Sequence, residues 1–307
     1  MTIDTLHARA TTQSNGARSS FADQQQMLAR FNRSRLTPGL GAPTITPTTE
    51  RRLLNLERAF LAQCRDEIAP LLRNVPDRAD DFISWFESMA VWGPGQNDPL
   101  FPWLADKASL EQMRWFLYNE VAGEAGFEDL LAMTQVKMPV RPKLEMARNF
   151  WDEMGRGQAK GMHGPMLERL ALALDLDPQI EDVRPEALAL GNVMMALASN
   201  RAFAFHAVGA LGVIEMTAPD RAAHVTQGLK RLNVPAKARH YFALHAVLDR
   251  RHSIDWNAEV IAPLVGEDPR RARCIAEGAL LRLARGKACF DAYRAHFGLS
   301  EGAYARH

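Results

Sequence analysis

The chain has 307 residues, 47% of them hydrophobic, and its 37 Lys and Arg residues nearly cancel 36 Asp and Glu residues, leaving a net charge of +1. That length can bury a sizeable core, and the charge balance gives no ground for a nucleic-acid, acidic-membrane or polyanion-binding function. The three cysteines, Cys64, Cys274 and Cys289, are widely spaced and odd in number, which argues against a disulfide framework and for buried thiols in a reducing compartment.

In chain order, residues 1 to about 45 are rich in Ser, Thr, Gln, Asn, Gly and Pro, a composition that cannot offset its ordering entropy by apolar burial. A poorly ordered tail over 1–45, with a short helix near 21–32, is therefore expected ahead of one domain over 46–307. The opening residues carry no apolar h-region and no uninterrupted apolar run reaches bilayer length, so a cytoplasmic protein with no membrane partner is expected. Thr46 is a suitable N-cap and Pro47 a suitable first helical residue, followed by Leu53, Leu54, Leu56, Phe60 and Leu61 at helical spacing. Three-and-four periodicity continues over 78–91, 107–135, 142–155, 163–174, 185–216, 220–232, 235–253, 255–264 and 267–296. Alternating β-branched runs are absent, so the fold class is all-α, built on long helices.

Residues with metal-binding chemistry recur along these helices. Glu120 and Glu124 lie one turn apart, on the side of Phe116, Phe127 and Leu131. Glu153 and His163 flank a run containing Gly155, Gly157 and Gly161, which disfavours a regular helix and predicts an irregular turn. Glu215 sits in the apolar, small-residue stretch Ala207–Met216, where an inward carboxylate must be protonated, paired or metal-bound. His245, Asp249 and His252 follow at spacings of four and three, which places two imidazoles and a carboxylate on one stripe of a helix. Mixed carboxylate and imidazole donors suit iron or manganese better than structural zinc, and their surplus over one metal's needs points to two metals.

Each feature also has a plainer explanation. The His245 triplet alone equally suits a satisfied polar face, Glu153 suits a solvated loop beside Arg156 or Lys160, and Glu215 suits a buried acceptor for Arg or Trp. At least one of Glu120 and Glu124 is expected to be an ordinary helix carboxylate. His206 reads as a core histidine. Gly209 and Gly212 read as close helix packing or as room for a substrate.

The order Glu153, His163, Glu215, His245, Asp249, His252 resembles that of the heme-oxygenase-like diiron oxidases, the iron-containing redox enzymes, over about residues 50–300. The most specific parts are the His-x-x-x-Asp-x-x-His helix and the Asp152-Glu153-x-Gly155-x-Gly157 run before His163. The resemblance implies a heme-oxygenase-like bundle of about seven core helices, without heme, holding two Fe(II) ions that activate dioxygen, with manganese compatible at one position. It implies His163 and His252 on one iron, His245 and Glu215 on the other, and Asp249 shared. Glu153 becomes a supplementary, catalytic carboxylate, and either Glu120 or Glu124 the first-helix ligand. The implied activity is oxidation of a small metabolite, with N-oxygenation of an amine or amino-acid-like substrate favoured on account of Glu153, and oxidative decarboxylation or C–C cleavage of an amino or fatty acid as the alternative. An external electron donor and a small-molecule substrate are the implied partners, and a homodimer is compatible. A thiaminase-like hydrolase would need an activated cysteine, and a non-catalytic helical metal- or ligand-binding protein would need no turnover.

Overall fold

The computed structural model describes residues 19–41, 45–123 and 126–299, and among them no β-strand occurs. Helix α1 (Phe21–Leu36) starts at Ser20, whose hydroxyl accepts from the Asp23 amide while the Asp23 carboxylate accepts from the Ser20 amide, a capping box. Leu28 and Phe31 of α1 are buried against the bundle, and Asn32 donates to Asn192, which in turn donates to the Gln25 carbonyl. The segment expected to be a tail thus contains a docked helix, longer than the 21–32 piece anticipated. Asn192 bonds both Asn32 and Gln25 of this helix, so part of its buried polar surface is paired and its composition does not prevent packing.

Helices α2 (Pro47–Ile68) and α3 (Ala79–Trp92) follow; Thr46 caps α2 through its hydroxyl as anticipated. The short α4 (Leu100–Asp106) precedes α5 (Leu110–Gly123) and α6 (Phe127–Thr134). The expected 107–135 helix is therefore two helices, and Gly126 stands before the second with φ of 71°. Next come α7 (Val140–Glu153), α8 (His163–Ala173) and α9 (Pro185–Ser199).

The central element is α10 (Ala204–Arg231), packed on α4 and against α11 (His240–Trp256) and α13 (Arg270–Phe297). Its limits differ from the expected 185–216 and 220–232. The chain breaks at Asn200, whose side chain accepts from the Ala202 amide, and then runs as one helix through Pro219. Pro219 has no N–H to offer the Glu215 carbonyl one turn earlier, so the helix loses a rung beside a candidate ligand yet is held by its neighbours. The stretch Arg201–Arg231 is long and apolar enough to cross a bilayer, but 67% of its most apolar window is buried inside the protein. Helix α11 continues through a π-helical segment, Asn257–Ile261, into α12 (Ala262–Glu267), so the expected break near residue 254 is absent.

The α10–α13 crossing is close. A Cβ on Gly209 would lie 1.8 Å from the Ile275 carbonyl oxygen, and one on Gly278 would lie 1.8 Å from that of His206. Gly209 therefore serves packing. His206 is a core histidine, its Nε2 lying 3.2 Å from Glu277 Oε2.

Candidate metal centre

Six of the expected residues converge in two groups of three. Glu153, His163 and His245 form one, and Glu215, Asp249 and His252 the other; within each group a donor atom from every residue lies within 4.8 Å of the others. Glu153 ends α7 and His163 opens α8, Glu215 lies within α10, and α11 supplies the rest.

The turn from Glu153 to His163 explains their proximity. Gly155, Arg156 and Gly157 all have positive φ, and Met154 pairs with Met162 in an isolated antiparallel bridge. A Cβ on Gly155 would lie 2.3 Å from the Gly161 carbonyl carbon, so glycine is required where the two arms of the turn touch. Arg156 bonds Asp152 rather than Glu153, at 2.6 Å, and Glu153 is only 3% exposed. It is a buried carboxylate rather than a solvated loop residue.

His163 Nδ1 lies 2.6 Å from Glu153 Oε2 but makes no aligned hydrogen bond, and His252 Nδ1 stands likewise 3.5 Å from Glu215 Oε2. Buried polar atoms are normally hydrogen-bonded, so atoms that face each other without an aligned bond are ones that a shared cation could satisfy. The oxygen and nitrogen donor sets fit a divalent first-row metal such as iron. Hydrogen bonds on the far side of the site fix which atoms face it. Nδ1 of His245 lies 2.7 Å from the Tyr241 carbonyl, leaving Nε2 to coordinate, while Nε2 of His252 lies 3.2 Å from Asp152 Oδ2, leaving Nδ1. Asn149 donates to Glu215 Oε1 at 2.7 Å.

The electrostatics agree with that donor set. Burial, then the nearby Glu215, pushes the Glu153 carboxyl well above the usual carboxylate range. Burial lowers His163 and His245 to about 4, assisted by His252 and His163 respectively, so both rings are neutral and offer lone pairs near neutral pH. Burial works against the His252 cation as well, but Glu215 and Asp152 outweigh it and hold that ring at about 9. Crowded carboxylates and two neutral imidazoles are a charge pattern that a bound divalent ion relieves, and at His252 such an ion would take the place of the ring proton.

The grouping differs from the one implied by resemblance, in which His163 went with His252 and His245 with Glu215. The seven-residue step from His245 to His252 amounts to roughly 10 Å along a helix axis, so the two rings reach different groups, as the resemblance also implied. His163 instead meets His245, with ring centroids 4.6 Å apart. Glu120 belongs to neither group. It lies on the wall of a cavity that His245 and Asp249 also line; burial raises its carboxyl pKa, countered by Arg282, Tyr293 and Arg221. Glu124 lies outside the described residues.

Sequence reasoning missed Glu128 of α6, whose charge acts on both Glu153 and His163. It sits four residues past Glu124, so extending the acidic stripe by one turn would have found it. Asn149 carried no comparable signal. Burial raises all three thiols, Cys64 to about 11, which works against a nucleophilic cysteine.

Comparison with known proteins follows the same line. A family model described as iron-containing redox enzyme matches residues 114–287, from α5 to α13, a span that contains all six grouped residues. A solved structure, a CADD-like protein of unknown function from Nostoc punctiforme, is similar at 14% identity and a TM-score of 0.47, covering 78% of this chain and 95% of that one. No curated protein matches. The family match spans more than half of an all-α, heme-oxygenase-like chain, and this protein belongs to the iron-containing redox enzymes.

Proposed function

We propose that the protein is a nonheme diiron oxidase or oxygenase that uses dioxygen and an external electron donor to oxidise a small metabolite. The observation that carries this is the pair of three-donor groups, Glu153–His163–His245 and Glu215–Asp249–His252, each mixing carboxylate with imidazole. When bound, a ferrous pair supplies the electrons that reduce dioxygen. The remaining work falls to the chain. Asp152 and the Tyr241 carbonyl hold His252 and His245 in their coordinating tautomers, and Asn149 holds Glu215. Phe116, Phe127 and Ile214 give an apolar side to the cavity that His245 and Asp249 also line, which suits a substrate held next to the ligands.

Glu153 stands within one of the two donor groups, as a supplementary carboxylate ligand would, and on that ground N-oxygenation is preferred over decarboxylation or C–C cleavage. Anaerobic loading with ferrous iron is expected to give about two irons per chain, and exposure to dioxygen a transient visible absorption. Protein that binds no iron and stays colourless would refute the proposal. Iron that raises the melting temperature without oxygen consumption, with any amine or carboxylate supplied, would favour a non-catalytic binding protein.

A further inference from the structure

The outer face of α7 is apolar where a solvated helix is ordinarily polar. Val140, Leu144 and Trp151 are 76, 64 and 54% exposed. At a helical period they fall within roughly 40° of one another, with Ala147 between them, in a stripe roughly 16 Å long. Single exposed apolar residues are ordinary, but among the described residues no other helix carries three large ones this open.

The stripe has a basic rim. Lys143 borders one edge, Arg141 and Arg148 the other, and Arg156 and Lys160 follow on the turn; all five are exposed. The carboxylates of the same segment turn inwards, Glu145 and Glu153 being buried and Asp152 half-buried. Glu259, Glu145 and Asp152 bond Arg141, Arg148 and Arg156. Glu153 belongs to a donor group, so five outward cations stand against three carboxylates. Asp255, whose charge also acts on Glu145, is offset by Arg251.

This face backs directly onto the candidate metal centre. A Cβ on Gly157 would lie 2.9 Å from Trp151 Cη2, so the indole rests on the turn that leads from Glu153 to His163. The next residue in the chain, Asp152, lies 3.2 Å from His252 Nε2. One peptide bond and one hydrogen bond therefore link an exposed aromatic residue to a candidate ligand. The cavity that suits the substrate is lined by His245 and Asp249 but not by Trp151, Asp152 or His252, so the two approaches to the centre are separate.

We infer that the outer face of α7 is the docking surface for an acidic electron-transfer protein, which seats an apolar patch on Val140, Leu144 and Trp151 and sets its carboxylates against Lys143, Arg148 and Arg156. Charge of one sign around an apolar centre steers a partner of the other sign and fixes its orientation. The assignment rests on the proposed function in supplying that reaction's electron donor. Two donor molecules give up one electron each and are oxidised, two ferric ions become ferrous, and no atom is transferred. A second copy of this chain placed about a twofold axis on the same face would set one basic rim against the other, which like charges oppose.

The test titrates an acidic plant-type [2Fe–2S] ferredoxin, a one-electron carrier, calorimetrically into the full chain, metal-free and iron-loaded. Binding is expected in both forms, and to weaken about tenfold or more between about 0.05 and about 0.5 M salt. Lys143→Glu and Leu144→Asp alter exposed side chains only and should each weaken it about tenfold, with Lys143→Arg near the unaltered chain and with helical content and iron content unchanged. In the iron-loaded chain, photoreduced ferredoxin should reduce ferric iron about tenfold more slowly in the same two variants, while reduction by dithionite, which needs no docking surface, is unchanged. No ferredoxin binding by the unaltered chain, or equal binding by the folded variants, overturns the assignment. Sedimentation with anionic phospholipid vesicles in place of ferredoxin binding gives the face to a membrane and overturns it, as does a dimer that Leu144→Asp dissociates. Iron uptake without ferredoxin binding sinks the docking surface alone, whereas variant-sensitive binding by a chain that takes up no iron supports the surface and sinks only the diiron proposal.

Discussion

Asn149 of α7 donates its side-chain N–H to Glu215 Oε1 of α10 across 2.7 Å, with both groups buried. The bond fixes one carboxylate oxygen and leaves Oε2 facing His252 Nδ1 at 3.5 Å. Asn149→Ala removes the brace without touching a donor. Iron affinity of the Glu215 group is expected to fall by about 10- to 100-fold, read by competition with a chromophoric chelator, while helical content is unchanged. Unaltered affinity would show that Glu215 needs no brace.

Asp152 should matter in the same way and discriminate more finely. Its Oδ2 lies 3.2 Å from His252 Nε2, and Arg156 bonds its other oxygen at 2.6 Å. Asp152→Asn can keep an acceptor oxygen towards the ring, whereas Asp152→Ala cannot. The alanine variant is expected to lose about tenfold or more in iron affinity and the asparagine variant much less. Equal losses would point to the negative charge rather than ring orientation.

The pattern of what was legible in the sequence follows from how local each feature is. The His245, Asp249, His252 stripe needs only the period of one helix, and the Glu153–His163 turn only the backbone freedom of nearby glycines, so both could be read in advance. Which histidine joins which carboxylate depends on how α8 and α10 are set against α11, information that no single segment contains. The limits of α10 misled because Pro219 marks a boundary in isolation but is tolerated in a packed helix, while Asn200 breaks the chain without an obvious signal.

That crossing has its own requirement. Gly209→Ala would push a methyl group against the Ile275 carbonyl, 1.8 Å from the built Cβ, and backbone cannot move aside as a flexible side chain can. A loss of about 1–3 kcal/mol or more is expected in chemical denaturation. Near-wild-type stability would mean that α10 and α13 can separate at little cost.

Glu277 gives the same region a pH dependence. Burial favours its neutral form, but hydrogen bonds from His206 and Arg65 prevail and bring its carboxyl down to about 2 from an ordinary 4.5. A depressed carboxylate contributes stability above its unfolded pKa and loses that contribution as pH falls through the folded one, so the loss is expected between about pH 4.5 and 2. Glu277→Gln should be less stable at neutral pH by roughly 1–3 kcal/mol and should show a shallower decline over that window. Parallel acid-denaturation curves for the two proteins would count against the network.

The two donor groups make opposite claims about Asp249. If Asp249 were shared between the metals, Asp249→Ala would empty both positions. In the structure Asp249 belongs with Glu215 and His252, and the other group draws its carboxylate from Glu153. Asp249→Ala is therefore expected to retain about one iron per chain, and Glu153→Ala the complementary one, while the double variant retains none. The single variants should also differ spectroscopically: Glu153→Ala leaves a site with one imidazole donor, His252, and Asp249→Ala leaves one with two, His163 and His245. Loss of all iron in Asp249→Ala would show that the carboxylate bridges after all, swinging between Glu215 and His245 when metal binds.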